Sequence, residues 1–157
     1  MEYHYQSPWF VEALQREDNL EVNQLDLNLD TDICIIGGGF TGLWAALKIK
    51  EKKPSTNIIL IEKDLCGSGA SGRNGGCMIP QSTKFQGIEK VVGTEDAKKI
   101  VLATEDAVNN IKNYCLNNNI DAEIRDDGVF YGATNKFHKG AFESLIKDLN
   151  KNRINSW

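Results

Sequence analysis

Three glycines and one glutamate have the residue types and the spacing of a nucleotide-binding turn. Gly37, Gly39 and Gly42 form a G-x-G-x-x-G pattern, and Glu62 follows Gly42 by 20 residues. In such a turn the first glycine allows a sharp change of direction, the second lets backbone approach a diphosphate, and the third lets a helix pack closely on a strand. A carboxylate at the end of the next strand can accept hydrogen bonds from both hydroxyls of a ribose, and it repels a 2′-phosphate. The pattern therefore predicts a site for a diphosphate nucleotide and disfavours NADP.

A second glycine-rich stretch, GSGASGRNGG, occupies residues 67–76. A chain with so little side-chain bulk can lie flat against a cofactor, and Arg73 offers a planar fork of donors to a phosphate or a carboxylate. Ser71 and Asn74 add short hydrogen-bonding groups. The alternative interpretation of this stretch is a surface loop with a solvated arginine.

The elements around the first glycines and the glutamate predict a βαβ unit. Residues 31–36, which contain four consecutive apolar residues at 33–36, and residues 58–61 favour strands buried on both faces, as in a parallel sheet. This would place Cys34 in the core. A helix over 41–52 fits between them, and Pro54 prevents its continuation. The start of that helix would direct unpaired N–H groups and the positive end of its dipole at the phosphates.

The rest of the sequence predicts three further helices and one hairpin. The segment SPWFVEAL near the N-terminus favours a short helix, and residues 94–117 favour a long one with Thr94 as its N-cap. Residues 122–133 predict a hairpin that turns at Asp-Asp-Gly. Residues 134–149 have the apolar spacing of a last helix.

Composition excludes several classes of protein. The chain has 157 residues, 41% hydrophobic and 25% charged, with a net charge of −4. It has no basic cluster for nucleic acid, no apolar stretch of membrane-spanning length and no visible signal peptide. Four cysteines without CxxC spacing and two histidines argue against a metal site. We predict a cytoplasmic protein with reduced thiols.

The order of these motifs resembles the N-terminal part of a known enzyme family. The stretches IIGGGFTGLWAAL, LIEKD and GSGASGRNGG are similar to the signature of the FAD-dependent amine and amino acid oxidoreductases. This is the D-amino-acid-oxidase-like superfamily, and the resemblance is closest to its γ-glutamylputrescine-oxidase-type branch. The aromatic segment YQSPWF, the long helix and the segment DDGVFYGA are similar as well. The resemblance covers nearly the whole chain, with its motifs concentrated in residues 32–76.

The resemblance implies that the cofactor is FAD. The glycine turn over residues 37–42, the first turn, would hold the pyrophosphate. Glu62 would bind the adenosine ribose, with Lys63 beside it. The second glycine-rich stretch would run along the pyrophosphate and the ribityl chain. The catalytic residues would lie outside this chain, so none is named. The candidate cofactor-binding residues are Gly37, Gly38, Gly39, Phe40, Thr41, Gly42, Glu62, Lys63, Ser71, Gly72, Arg73, Asn74, Gly75 and Gly76.

The resemblance also implies an α/β fold. It consists of a Rossmann-like FAD-binding half-domain of the glutathione-reductase type, followed by the truncated start of an α+β substrate domain. The expected organisation is an N-terminal extension over 1–29, the first segment of the FAD-binding domain over 30–119, and the incomplete substrate domain over 120–157. The C-terminal remainder of the same polypeptide is expected to complete the protein.

The implied reaction is oxidation of a C–N bond in a small amine or amino acid, by hydride transfer to flavin N5 with O2 as the acceptor. Two alternatives stay open. The chain could be an inactive truncated remnant, or it could be a module that binds NAD or another nucleotide without oxidase activity.

Overall fold

The computed structural model describes residues 7–17 and 24–154. These residues form two units, one that ends at Gly76 and one that begins at Cys77. The predicted N-terminal extension lies partly outside the described residues. Among the residues that are described, no helix has the length and apolar character needed to cross a membrane.

The first unit contains an α/β arrangement with a small parallel sheet. Strands β1 (Ile33–Ile36) and β2 (Ile58–Ile61) pair with Ile33 opposite Ile58 and Ile36 opposite Ile61. A short helix, α1 (Pro8–Gln15), precedes β1 in the chain, and helix α2 (Phe40–Lys52) connects the two strands. Both predicted strands are thus confirmed, although β1 begins at Ile33 rather than at Thr31, and α2 begins one residue earlier than predicted.

The prediction that β1 is buried on both faces is wrong. Ile35 lies against α2, because its Cγ2 atom is 3.2 Å from the position that a Cβ at Gly42 would take. Successive side chains of a strand point to opposite faces, so Cys34 and Ile36 lie on the other side of the sheet. Both are exposed there, Ile36 by 86% of its surface, and Cys34 is therefore not a core residue.

The second unit is helical and has its own apolar core. It contains a 3-10 turn over Gln81–Lys84 and the helices α3 (Phe85–Val92), α4 (Thr94–Asn117) and α5 (Glu143–Lys151). The range predicted for α4 is confirmed, whereas α3 was not predicted. Side chains from these elements form the core, which consists of Phe85, Ala97, Val101, Leu145, Leu149 and Ile154.

Two predictions about helix ends in this unit are wrong. The N-cap of α4 is Gly93, whose φ of 82° suits glycine, and the Thr94 hydroxyl instead donates to Glu89 Oε1 at 2.7 Å. The last helix begins at Glu143 rather than near residue 134. Gly140 adopts a φ of 78°, which a right-handed helix does not accommodate, so the residues before it form turns.

The predicted hairpin over 122–133 is also wrong, since residues 120–134 contain neither helix nor strand. A two-residue hairpin turn of type I′ needs positive φ at both central residues. Within Asp126–Gly128 only Gly128 has a positive φ, of 78°. The Asp126 carboxylate instead forms an ion pair with Lys112 of α4.

Candidate cofactor-binding site

The first glycine turn follows β1 directly and is held to the end of β2. The Gly37 amide donates to the Ile61 carbonyl at 2.8 Å, and the chain then turns with a φ of 105° at Gly37, a conformation that favours glycine. A Cβ at Gly42 would lie 2.1 Å from the Gly37 carbonyl oxygen. Gly42 therefore has to be glycine for α2 to start this close to the turn.

The start of α2 presents backbone donors of the kind that bind anions. Gly39 is the N-cap, and the Phe40 amide donates to Ser71 Oγ at 2.9 Å. Within the described residues, the amides of Gly39, Thr41 and Gly42 have no acceptor from the protein. Unpaired N–H groups at a helix N-terminus, together with the positive end of the helix dipole, bind phosphate groups.

The Glu62 carboxylate lies at the first turn rather than away from it. Its Oε2 atom accepts from the Gly38 amide at 2.6 Å, and its Oε1 atom accepts from the Asp64 amide at 3.2 Å. The hydrogen bond from Gly38, followed by that from Asp64, lowers the pKa of Glu62 below its usual value. An ionised carboxylate has about four acceptor positions, so Glu62 retains capacity for further donors such as ribose hydroxyls.

The lowered pKa makes the contribution of Glu62 to stability dependent on pH. A group whose pKa falls on folding stabilises the protein above its unfolded pKa, here 4.5, and this stabilisation is lost as pH falls through the folded pKa. We expect Glu62→Gln to lower the unfolding temperature at neutral pH by about 2–4 °C, a small effect because the carboxylate is partly exposed. The difference from wild type should shrink below pH 4.5.

Thermal unfolding followed by circular dichroism across pH 3–8 measures this difference. Glu51→Gln is the matched control, because it neutralises an exposed carboxylate whose partner, Lys48, lies 2.8 Å away on the same helix. A difference between wild type and Glu62→Gln that stays constant with pH would contradict the assignment.

The second glycine stretch, residues 67–76 and called the second loop from here on, lies against the first turn. The Gly67 amide donates to the Gly38 carbonyl at 2.9 Å. A Cβ at Gly39 would be 3.0 Å from Ser71 Oγ, and one at Gly38 would be 2.5 Å from Cys66 Sγ. The structure therefore brings the two glycine-rich segments and Glu62 together.

Hydrogen bonds within the second loop fix its local shape. Residues Ala70–Gly72 form a 3-10 turn, the Asn74 amide group donates to the Ser71 carbonyl at 2.6 Å, and the Gly76 amide donates to Asn74 Oδ1 at 2.8 Å. The side chains of Lys63 and Arg73 are exposed, and no described contact joins either of them to the first turn.

Sequence reasoning missed three residues at this site. Cys66 contacts Gly38 just before the second loop, and Ser7 and Phe10 of the N-terminal helix contact Gly72. No sequence signal points to Cys66. For Ser7 and Phe10 the pattern of a serine followed by proline predicts the helix start, but it says nothing of what the helix contacts.

The fold and the site together define an α/β protein with a glycine-rich turn and a carboxylate at the carboxyl ends of two parallel strands. Comparison with protein families agrees with this class. The family model described as "FAD dependent oxidoreductase" (DAO) matches residues 32–156. The chain belongs to this family, and its cofactor is FAD.

Three curated relatives are similar to this chain. It is 31% identical over 113 residues to "Gamma-glutamylputrescine oxidoreductase" of Escherichia coli (strain K12), which covers 71% of this chain and 26% of that protein. It is 34% identical over 113 residues to "Probable oxidoreductase OrdL" of Rhizobium meliloti (strain 1021), covering 71% and 25%. A protein of the same name from Haemophilus influenzae is 43% identical over 72 residues, covering 44% and 16%.

The chain thus spans only about a quarter of the length of the first two relatives. No solved structure matches it significantly.

Proposed function

We propose that this chain is the N-terminal part of an oxidoreductase that uses FAD to oxidise a C–N bond in a small amine or amino acid. The observation that carries the proposal is the convergence of the first turn, Glu62 and the second loop within a chain of the DAO family. The name of the Escherichia coli relative, gamma-glutamylputrescine oxidoreductase, supports an amine substrate. We propose O2 as the electron acceptor. The match covers only about a quarter of the length of the first two relatives, which supports a C-terminal remainder that completes the protein.

The residues of the first turn fit the diphosphate of FAD. The amides of Gly39, Thr41 and Gly42 supply three donors that have no acceptor in the described part of the chain, and glycine at position 39 leaves the approach to them free of a side chain. Hydrogen bonds from such donors to a charged phosphate are stronger than those between neutral groups. We therefore assign these three amides, with Gly37, Gly38 and Phe40 around them, to the pyrophosphate.

Glu62 fits the adenosine ribose. Its carboxylate lies beside the Gly38 amide and is ionised at neutral pH, so both of its oxygens can accept hydrogen bonds from ribose hydroxyls. The negative charge also disfavours a 2′-phosphate. Lys63 is proposed to flank the ribose from its exposed position at the end of β2.

The second loop is the other glycine-rich segment of the site, and we propose that it runs along the pyrophosphate and the ribityl chain. Ser71 already contacts the start of α2, and Gly72, Asn74, Gly75 and Gly76 offer backbone and a short amide side chain nearby. The exposed Arg73 guanidinium can form a bidentate contact with a phosphate.

When bound, FAD supplies a ring that accepts a hydride from the carbon next to nitrogen, whereas the protein supplies binding, orientation and exclusion of water. The residues of this chain bind and orient. We propose that the catalytic residues lie in the C-terminal remainder. In the proposed organisation, residues 1–29 are an N-terminal extension, residues 30–119 are the first segment of a Rossmann-like FAD-binding domain, and residues 120–157 are the start of a substrate domain.

The proposal is tested on the complete polypeptide that contains these residues. The purified protein should carry flavin that is released on denaturation, and amines or amino acids should bleach its absorbance without air and yield hydrogen peroxide in air. Flavin that no amine or amino acid reduces would contradict the proposed reaction and favour the inactive remnant. Tight NADH binding with no affinity for FAD would favour the nucleotide-binding module.

A further inference from the structure

We propose that α1 holds the second loop in the shape that binds FAD, and that Ser7 and Phe10 are positioning residues for the cofactor. This inference rests on the proposed FAD site, and it adds a role for a segment that the family match leaves out, since that match begins at residue 32. The inference depends on contacts within the first unit.

The Phe10 ring lies against the backbone of two glycines in the second loop. Its Cδ2 atom is 3.2 Å from the position that a Cβ at Gly72 would take, and its Cε2 atom is 3.7 Å from that of a Cβ at Gly67. A side chain at residue 72 would also meet the Gly67 carbonyl oxygen at 2.4 Å. The ring therefore packs where the loop folds back on itself and where side chains are missing.

Ser7 ties the beginning of α1 to the same point of the loop. Its Oγ atom accepts from the Phe10 amide at 3.2 Å as the helix N-cap, and its hydroxyl donates to the Gly72 carbonyl. One hydroxyl thus caps the helix and bonds the loop. Gly72 is thus held by two contacts with α1 and its N-cap, a hydrogen bond from Ser7 and an aromatic contact with Phe10.

The residues that α1 contacts are adjacent to those that contact the first turn. Ser71, next to Gly72, accepts from the Phe40 amide at the start of α2. Gly67, the other glycine under the Phe10 ring, donates to the Gly38 carbonyl. A displacement of Gly72 would therefore reach the first turn through the neighbouring Ser71. A displacement of Gly67 would reach it through the hydrogen bond to Gly38.

Most side chains of helix α1 are exposed, so within the described part of the chain few other contacts stabilise its position. It is eight residues long, none of its residues is fully buried, and Phe10 and Leu14 are its half-buried side chains. Helices this short are marginal without tertiary contacts. Loss of the Phe10 ring should therefore release α1. The second loop would then adopt its binding shape for only a fraction of the time, and the apparent Kd for FAD would rise in inverse proportion to that fraction.

The expected effect of Phe10→Ala is a rise of about tenfold in the Kd for FAD, measured on the complete polypeptide after removal and titration of flavin. Trp9→Ala is the matched control, since Trp9 is the preceding residue of the same helix and is 63% exposed. Phe10→Tyr keeps both contacting ring carbons and should remain within about twofold of wild type. This rescue distinguishes the ring contact from a general loss of stability.

A second readout follows the loop without flavin. Trypsin cleaves after arginine, and Arg73 is exposed within the second loop. Cleavage after Arg73, identified by fragment mass, should be severalfold faster in flavin-free Phe10→Ala than in wild type or Trp9→Ala, because the loop opens more often. Added FAD should protect wild type.

Ser7 variants keep the inference testable if Phe10→Ala does not fold. Aspartate is a good N-cap but cannot donate to the Gly72 carbonyl, so Ser7→Asp should retain α1 and still raise the Kd for FAD by about threefold to tenfold. A wild-type protein without affinity for FAD would overturn the proposed function. A wild type that binds FAD, with Kd and cleavage rate unchanged in Phe10→Ala and Ser7→Asp, would overturn the role of α1 alone.

Discussion

Gly42→Ala is expected to weaken FAD binding by the complete polypeptide at least about 100-fold. The new Cβ would lie 2.1 Å from the Gly37 carbonyl oxygen, well inside any contact that real side chains make. That oxygen has little freedom, because the Gly37 amide is bonded to Ile61 and its φ of 105° fixes the turn. Helix α2 must therefore move away from the turn by roughly 1 Å, which exceeds the range over which a hydrogen bond keeps its strength.

The displacement would misplace the amides of Thr41 and Gly42 together. Hydrogen bonds to charged groups contribute about 1.5–3 kcal/mol each, so the loss of two accounts for the expected change. Titration of flavin-free protein, followed by the quenching of flavin fluorescence, measures the Kd. Gly87→Ala is the matched control, because Gly87 lies in α3, outside the proposed site, with open space around its Cβ position, and should bind as wild type does. An affinity of Gly42→Ala within threefold of wild type would refute the role of Gly42.

Glu62→Gln is expected to raise the Kd for FAD by about 10-fold to 100-fold. The substitution keeps the shape of the side chain but removes its charge and one of its two acceptor oxygens. The Gly38 amide and the ribose hydroxyls would then compete for a single carbonyl oxygen. The same titration measures the effect.

Asp64→Asn is the control for Glu62→Gln. It neutralises the adjacent exposed carboxylate, and it leaves the Asp64 backbone amide that donates to Glu62 in place. Equal weakening in both variants would mean that general electrostatics, rather than a contact with the ribose, determines the effect.

The first turn could be predicted because its determinants are local. Apolar runs give β1 and β2, the glycine pattern gives the turn, and a parallel pair with Ile36 opposite Ile61 brings the residues after each strand together. The proximity of Glu62 to Gly38 follows from that register. The choice between FAD and NAD did not follow from this turn, and it required the resemblance carried by the second loop.

The features that could not be predicted depend on contacts between distant residues. Cys34 lies in an apolar run, but whether a strand face is buried depends on the elements that cover it. The contact of Ser7 with Gly72 spans 65 residues and has no periodic signal. The Asp-Asp-Gly segment has the composition of a turn, and only the observed dihedral angles show that it does not close a hairpin.

The structure of the complete polypeptide with bound FAD tests the central assignment most directly. We expect the pyrophosphate oxygens to lie about 2.7–3.2 Å from the amide nitrogens of Gly39, Thr41 and Gly42, and the ribose hydroxyls to donate to the Glu62 carboxylate. FAD bound with its pyrophosphate away from these amides, or with Glu62 turned from the ribose, would contradict it.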